Sequence, residues 1–385
     1  MKIAFLSEKY TPDIGGLAIS VERLARLLSS AGHQVRVFAP TLNLTTSETR
    51  TLSSNGISIT RFGTHKRVDD TLVDWFELLI EAHKRESFDI LHAYFLTQAG
   101  FVAAYAGKYL NVPSVVSARG NDLERAIFDP SRATHILYAL QHANVVTTNA
   151  NELAKKARAL VPDLEVTVIP NGIDSGHFKP LPRNNALAKS LDLVDEGKVK
   201  ETSRVIGFAG ELREKKGLRT LLAAYAQVNK ENPTTLLIVG DIRTGDDKQI
   251  FEKFKLSNPE QRVVVTGFVS PKDLPAYYSL MDVFVHPSLR DGLPNALLEA
   301  MACEKAVIST PVGGILDVVT DCENGRLVPT KDLDQLASVI DELLSDNPLR
   351  MKLGKAARQT IIEKFTLQRE LDGNLALYRH LGLRT

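Results

Sequence analysis

The chain has 385 residues, 44% of them hydrophobic and 24% charged, which leaves room for two domains of ordinary globular make-up. Its 47 basic and 46 acidic residues give a net charge of +1, which argues against a nucleic-acid binder and against a strongly basic docking module. The two cysteines, Cys303 and Cys322, form no CxxC or Cys/His pattern, so a reduced cytoplasmic protein without structural zinc is expected.

The opening MKIAFLSEKY holds an apolar run of four residues before Ser7 and Glu8, a buried first strand rather than a signal peptide. No stretch approaches the roughly 18 uninterrupted apolar residues of a membrane span. Short apolar runs at 3–6, 34–38, 57–59, 90–92, 114–117, 145–148 and 166–169 predict strands. Amphipathic segments near 17–30, 71–86, 97–110, 131–142 and 150–160 predict helices between them. The stretch PNGIDSGHFKPLPRNN, 170–185, breaks the pattern with Pro, Gly, Asn and charge, as an inter-domain linker would. Alternation restarts with strands at 205–209, 236–239, 262–266, 283–286, 306–309 and 326–328, and a helical segment covers 348–381. This alternation predicts an α/β protein with two mostly parallel, helix-covered sheets, one in 1–175 and one in 176–365. Ligands of such sheets bind beyond the carboxyl ends of the strands, so residues just after strands are the candidates.

After the first strand, Gly15 and Gly16 let backbone approach a ligand at the start of a helix, although the pattern is not GxGxxG. His92 ends the strand DILHAYF. Ser117-Ala118-Arg119-Gly120-Asn121-Asp122 follows the next. Arg119 cannot serve as a base, because its pKa lies above about 12, but it can neutralise a phosphate or bind an anionic acceptor. GELREKKG, 210–217, carries Gly210, Arg213 and Lys216, cations of the kind needed where charge builds on a departing phosphate. Glu211 and Arg213 are two positions apart, which in extended chain restores the same side.

The densest stretch is HPSLRDGLPNALLE, 286–299. A tight turn at Gly292 leads into a helix-forming segment, with Pro294 suited to its first position. Asp291, Gly292 and Leu293 then lie at a helix mouth. Asn295 and Glu299, four apart, share one helical face while Leu297, Leu298 and Met301 supply the buried side. Asp332-Leu333-Asp334 spells DxD, a metal pattern in other settings. Here it opens a predicted helix, where acids suit the dipole.

HPS, DGLPN and LLEAMAC, with VISTPVGGILDVV and NGRLV, resemble the C-terminal signature of glycosyltransferase family 4. The resemblance implies the GT-B fold, two Rossmann-like domains facing a cleft, the final helix near 366–385 crossing back onto the first. It implies a retaining transferase with a nucleotide-sugar donor, UDP-glucose first and GDP-mannose next, and no metal or other cofactor. Gly15 and Gly16 match a PxxGG loop expected to face donor and acceptor. Lys216 and Gly217 match G-R-L-x-x-x-K-G, but Glu211 stands where Arg is usual, which points to Arg213 and Lys216 as the phosphate clamp. Asp291 replaces a usual Glu, and Arg119 replaces a usual His. By resemblance, Gly267, Phe268 and Val269 meet the nucleobase, Glu299 the ribose, and Asp291 with the Leu293–Asn295 backbone the sugar. His92, Asn121 and Asp122 are acceptor-side candidates. A glycan or lipid-linked acceptor in polysaccharide biosynthesis, with a cytoplasmic enzyme peripheral to the membrane, follows from family habit. A nucleotide-sugar epimerase and a non-catalytic nucleotide-sugar binder on the same fold are the rival readings.

Overall fold

The computed structural model describes residues 1–13, 15–193, 204–231 and 234–384. The chain divides into two compact units, Met1–Gly172 with Leu367–Thr385, and Ile173–Thr366.

The first unit is built on an eight-stranded sheet. Its strands are β1 (Lys2–Ser7), β2 (Gln34–Thr41), β3 (Thr49–Ser54), β4 (Ile57–Gly63), β5 (Ile90–Tyr94), β6 (Ser114–Ala118), β7 (Val145–Thr148) and β8 (Val166–Val168). The order is β3-β4-β2-β1-β5-β6-β7-β8, all parallel except β3 against β4. Both faces are covered, so β1 reads as one apolar run. Ile3 and Phe5 pack with Val21, Leu24 and Tyr378 on one side, and Ala4 and Leu6 with Trp75, Leu79 and Val116 on the other. β3, TRTLSS, is exposed along its length and gives no apolar pattern, which is why the sequence reading lacks it.

The second unit carries β9 (Arg204–Ala209), β10 (Thr234–Val239), β11 (Val263–Val265), β12 (Val283–His286), β13 (Ala306–Ser309) and β14 (Arg326–Leu327). They form a parallel sheet in the order β11-β10-β9-β12-β13-β14. Val205 and Ala209 of β9 face one buried cluster and Ile206 and Phe208 the other. Gly207 lies between them because a Cβ there would sit 2.1 Å from the sulfur of Met281.

Two boundaries differ from the sequence reading. The 170–185 segment is not all linker. Ile173 and Phe178 are buried in the second unit's core, and Arg358 Nη1 donates to the Phe178 carbonyl at 3.1 Å. The 348–381 segment is two helices, Asn347–Lys364 and Leu367–His380. Between them the buried Phe365 turns its carbonyl to the Ile173 N–H, 2.8 Å away. No Gly or Pro announces that break. The final helix packs on the first unit, where buried Glu370 accepts two bonds from Arg23, at 2.7 and 3.0 Å, and one from the Gly172 N–H at 3.0 Å.

Candidate active site

In the second sheet the strand order reverses between β9 and β12, the switch point at which open α/β sheets bind ligands. Three glycines end the neighbouring strands with positive φ: Gly210 (113°), Gly240 (138°) and Gly267 (70°). Gly210 N–H donates to the Val239 carbonyl at 2.9 Å and Gly267 N–H to the Gly240 carbonyl at 3.1 Å. A Cβ on Gly240 would sit 2.3 Å from the Gly210 oxygen, so this close backbone approach requires glycine. The space over Gly210 is open. Beyond Gly267, Phe268 is 69% exposed and Val269 is half-buried against the core.

Past Gly210, Leu212 plugs into the core and bridges Ile242. Arg213 is extended, with φ −155° and ψ 170°, so its side chain shares a side with that of Glu211. The two then pair, Nη1 to Oε2, at 3.4 Å. Glu211, the acid that stands where arginine is usual, is exposed, and Arg213 Nε is buried without a hydrogen-bond partner among the described residues. A single turn, Glu214–Lys216, ends at Gly217 with φ 81°, where a Cβ would lie 2.1 Å from the Pro287 oxygen. The Leu289 N–H donates to the Lys215 carbonyl at 2.9 Å. These contacts zip the loop after β9 to the loop after β12.

The result is a half-buried ion pair. Lys216 Nζ donates to Asp291 Oδ2, with the two side chains 19% and 14% exposed. His286 Nε2 lies 2.9 Å from the same oxygen, and Ser288 Oγ lies 3.3 Å from it and 3.0 Å from the imidazole. The His286 ring is 1% exposed and stacks on Phe208 and Phe284. Burial pushes its pKa down, the Asp291 bond opposes this, and the Lys216 charge adds to it. The imidazole is therefore neutral. Its Nδ1 is buried and has no partner among the described residues, a smaller cost for a bare lone pair than for an N–H, so the proton sits on Nε2 and is donated to Asp291. Burial alone would raise the Asp291 carboxyl. The Lys216 ammonium, and after it the His286 N–H, hold it well below the usual carboxylate range. All these bonds fall on Oδ2, and Oδ1 has no partner among the described residues.

The helix after this turn is Asn295–Ala302, with Pro294 as its N-cap (φ −74°, ψ 120°). Pro294 thus stands one place before the expected first position. Its carbonyl accepts the first helical bonds, from Leu297 and Leu298. Leu297, Leu298 and Met301 are fully buried, and Asn295 and Glu299 are half-buried one turn apart. Glu299 Oε2 accepts from the Tyr278 hydroxyl at 2.8 Å. Burial, then the Glu299 charge, pushes that phenol well above its ordinary pKa, so it stays a donor. Buried Gly292 offers its carbonyl to the Gly314 N–H at 2.6 Å, and buried Leu293 joins the core. His286, Ser288, Tyr278, Gly313 and Gly314 received no roles from the sequence. The HPS and PVGG motifs held four of them, but only tertiary contact gives them a function. Asp332 caps helix Leu333–Ser345 through Oδ1 and the Gln335 N–H at 3.0 Å, and Asp334 accepts from Gln227 at 3.0 Å.

In the first unit, Gly15 (φ 137°) caps helix Gly16–Ser30, and neither Gly15 nor Gly16 has a neighbour among the described residues where a Cβ would point. Ile14 lies outside the described residues. Two acceptor-side candidates are corrected. His92 is completely buried, stacked on Phe5, with Nδ1 2.7 Å from the Tyr378 hydroxyl. Burial, then the Arg119 charge, lowers its pKa to about 3, so it is a neutral core histidine. Asp122 is also fully buried. Its carboxylate accepts from the Arg119, Gly120 and Leu123 N–H groups at 2.9–3.2 Å and so holds the turn instead of facing substrate. Burial raises its pKa to about 6, against the lowering effect of those bonds. Asn121 stays exposed. Arg119 is half-buried, its guanidinium carbon 4.2 Å from the centre of the buried Tyr94 ring and Nη2 bonded to Asn171 Oδ1.

Residues 14–177 match the family model described as Glycosyltransferase Family 4, and residues 192–360 the one described as Glycosyl transferases group 1. The chain is 27% identical over 383 residues to an uncharacterized glycosyltransferase of Methanocaldococcus jannaschii, covering 95% of each. It is 24% identical to a GDP-mannose-dependent alpha-mannosyltransferase of Corynebacterium glutamicum, over 94% of this chain and 85% of that one. Among solved structures, sucrose-phosphate synthase from Thermosynechococcus elongatus superposes with a TM-score of 0.82 at 24% identity, over 99% of this chain and 98% of that one. Anabaena HepE in complex with UDP-glucose gives 0.80 at 20% identity, over 98% and 100%. No helix among the described residues is long and apolar enough to cross a membrane.

Proposed function

Because this chain belongs to the group 1, family 4 glycosyltransferases and has their GT-B fold, we propose that it moves a hexosyl group from a nucleotide-sugar to a glycan or lipid-linked acceptor with retention at C1. UDP-glucose is the first donor to test, in keeping with the HepE complex, and GDP-mannose the second, in keeping with the mannosyltransferase relative. The observation that carries this reading is the Lys216–Asp291–His286 assembly at the switch point of the second sheet. It sets a cation for a diphosphate beside a carboxylate whose free Oδ1 suits a sugar hydroxyl. Gly267, Phe268 and Val269 offer backbone and an exposed ring to the base, and Glu299 the ribose contact.

The reaction breaks the bond between sugar C1 and the β-phosphate oxygen, and the electron pair leaves on that oxygen. The acceptor oxygen bonds to C1 on the same face, and its proton passes to the leaving phosphate. The nucleoside diphosphate and the glycoside are the products. Negative charge grows on the diphosphate as the bond lengthens, so Lys216 interacts more strongly in the transition state than before it. The cation and glycine backbone take the place that a metal holds elsewhere, and the Asp332 carboxylate of the DxD sequence is committed to a helix cap. Turnover is expected to persist in EDTA. Loss of activity in EDTA with recovery on adding Mg²⁺ or Mn²⁺ counts against the metal-independent part.

Product analysis by NMR, with UDP-glucose or GDP-mannose and with or without acceptor, tests the whole reading. A retained anomer on the acceptor supports it. A free epimerised sugar nucleotide identifies an epimerase, and binding without turnover a non-catalytic protein. Glu299→Ala is expected to raise donor KM and leave kcat nearly unchanged, because ribose hydroxyls look alike in ground and transition states. It also removes the shorter of the Tyr278 hydroxyl's two acceptors, leaving the Ala296 carbonyl at 3.3 Å, at a cost of about 1 kcal/mol in stability. A Glu299→Ala enzyme with normal KM removes Glu299 from the donor site.

A further inference from the structure

We infer that Arg119 is the recognition point for an oxyanion, phosphate or carboxylate, carried by the acceptor; this rests on the glycosyltransferase reading above. The residue stands immediately after β6, at the carboxyl edge of the first sheet, one strand from the β1/β5 switch point. Its backbone is pinned, because the Arg119 N–H is bonded to both oxygens of Asp122 at 3.2 and 3.1 Å. Its side chain is pinned too. The guanidinium lies over the face of Tyr94, and Nη2 donates to Asn171. What remains is a half-buried, pre-aimed cation whose Nε and Nη1 have no partner among the described residues, and no carboxylate pairs with it there. Asp122, the acid nearest in sequence, spends its oxygens on backbone N–H groups.

A stacked, immobilised guanidinium with one edge open is built for a planar or tetrahedral oxyanion, because Arg presents a fixed fork with little ordering cost left. A neutral sugar hydroxyl does not require it. The contrast with the second unit is informative. There, Arg213 lies 3.4 Å from Glu211 and Lys216 is bonded to Asp291, so each cation has an acid beside it. Arg119 is left unbalanced.

The test uses the full chain saturated with UDP, so that added oxyanions do not simply fill the nucleotide's phosphate site. Inorganic phosphate and L-malate are titrated as phosphate and carboxylate probes, with dimethyl L-malate as the uncharged control, for wild type, Arg119→Gln and Arg119→Lys. At least one anion is expected to bind wild type and to bind Arg119→Gln about 10- to 100-fold more weakly, as for loss of a charge-assisted pair. Arg119→Lys should recover part of the loss, and dimethyl L-malate should not bind. Phosphate alone indicates a phosphorylated acceptor, malate alone a carboxylate. Equal anion affinity in wild type and Arg119→Gln, or no anion binding to wild type, overturns the proposal. UDP affinity is measured on the same samples. If wild type fails to bind UDP, the donor reading fails independently. If Arg119→Gln weakens UDP as much as it weakens the anions, Arg119 serves the donor and the acceptor assignment is overturned.

Discussion

Lys216→Ala is expected to lower kcat by roughly 10²–10³-fold, in line with removal of one preorganised donor from a developing oxyanion. The same change should destabilise the protein by about 1–3 kcal/mol, because a half-buried carboxylate loses its cation while keeping His286 and Ser288. Both effects come from one contact. Lys216 and Asp291 are paired, 19% and 14% exposed, and the remaining support for Asp291 comes from His286 and Ser288. The effects can be separated. Lys216→Ala with Asp291→Asn removes both charges, and Asn can still accept from His286. Most of the lost stability should return in the double variant while kcat stays low. Steady-state kinetics with varied UDP-glucose and chemical denaturation of the four proteins read the two quantities. A Lys216→Ala enzyme with normal kcat and only a raised KM rejects the phosphate assignment. Additive stability losses show that the pair does not matter as a pair.

The sequence displays the scaffold of this site more clearly than its wiring. Strands with both faces buried must be continuous apolar runs, so β1, β9, β12 and β13 are visible at once. The exposed β3 has no such constraint and left no trace. The face shared by Asn295 and Glu299 follows from helical spacing alone. Charge pairing does not follow from spacing in the same way. Extended geometry correctly placed Arg213 on the side of Glu211, but it could not show that the two would lie 3.4 Å apart. His92 shows the complementary limit. A histidine ending a parallel strand can point to the ligand edge or into the layer below. Only the Tyr378 hydroxyl, contributed by the last helix, reveals the second. Asp122 likewise resembled an active-site acid until its backbone bonds were seen.

Gly313→Ala should be the most damaging single-methyl change near the site. Gly313 has φ 54°, and a Cβ there would lie 1.6 Å from the Asp291 carbonyl oxygen, a backbone atom that cannot rotate away. The clash must separate the PVGG turn from the Asp291–Gly292 turn. The next residue, Gly314, donates its N–H to the Gly292 carbonyl at 2.6 Å, so that bond goes as well. Backbone strain of about 1–3 kcal/mol plus a lost buried bond of about 1 kcal/mol predicts a lower denaturation midpoint. Activity should fall further than stability explains. Asp291 is held on one oxygen by Lys216 and His286, and moving its backbone withdraws Oδ1 from the sugar contact proposed for it; a displacement near 1 Å can cost about 10²-fold in rate. Gly217→Ala, whose Cβ would meet the Pro287 oxygen at 2.1 Å, should behave alike, since it parts the loop after β12 from the loop after β9. Denaturation midpoints and kcat/KM for both variants settle the point. A Gly313→Ala protein with wild-type midpoint and turnover would show that the PVGG turn does not position Asp291.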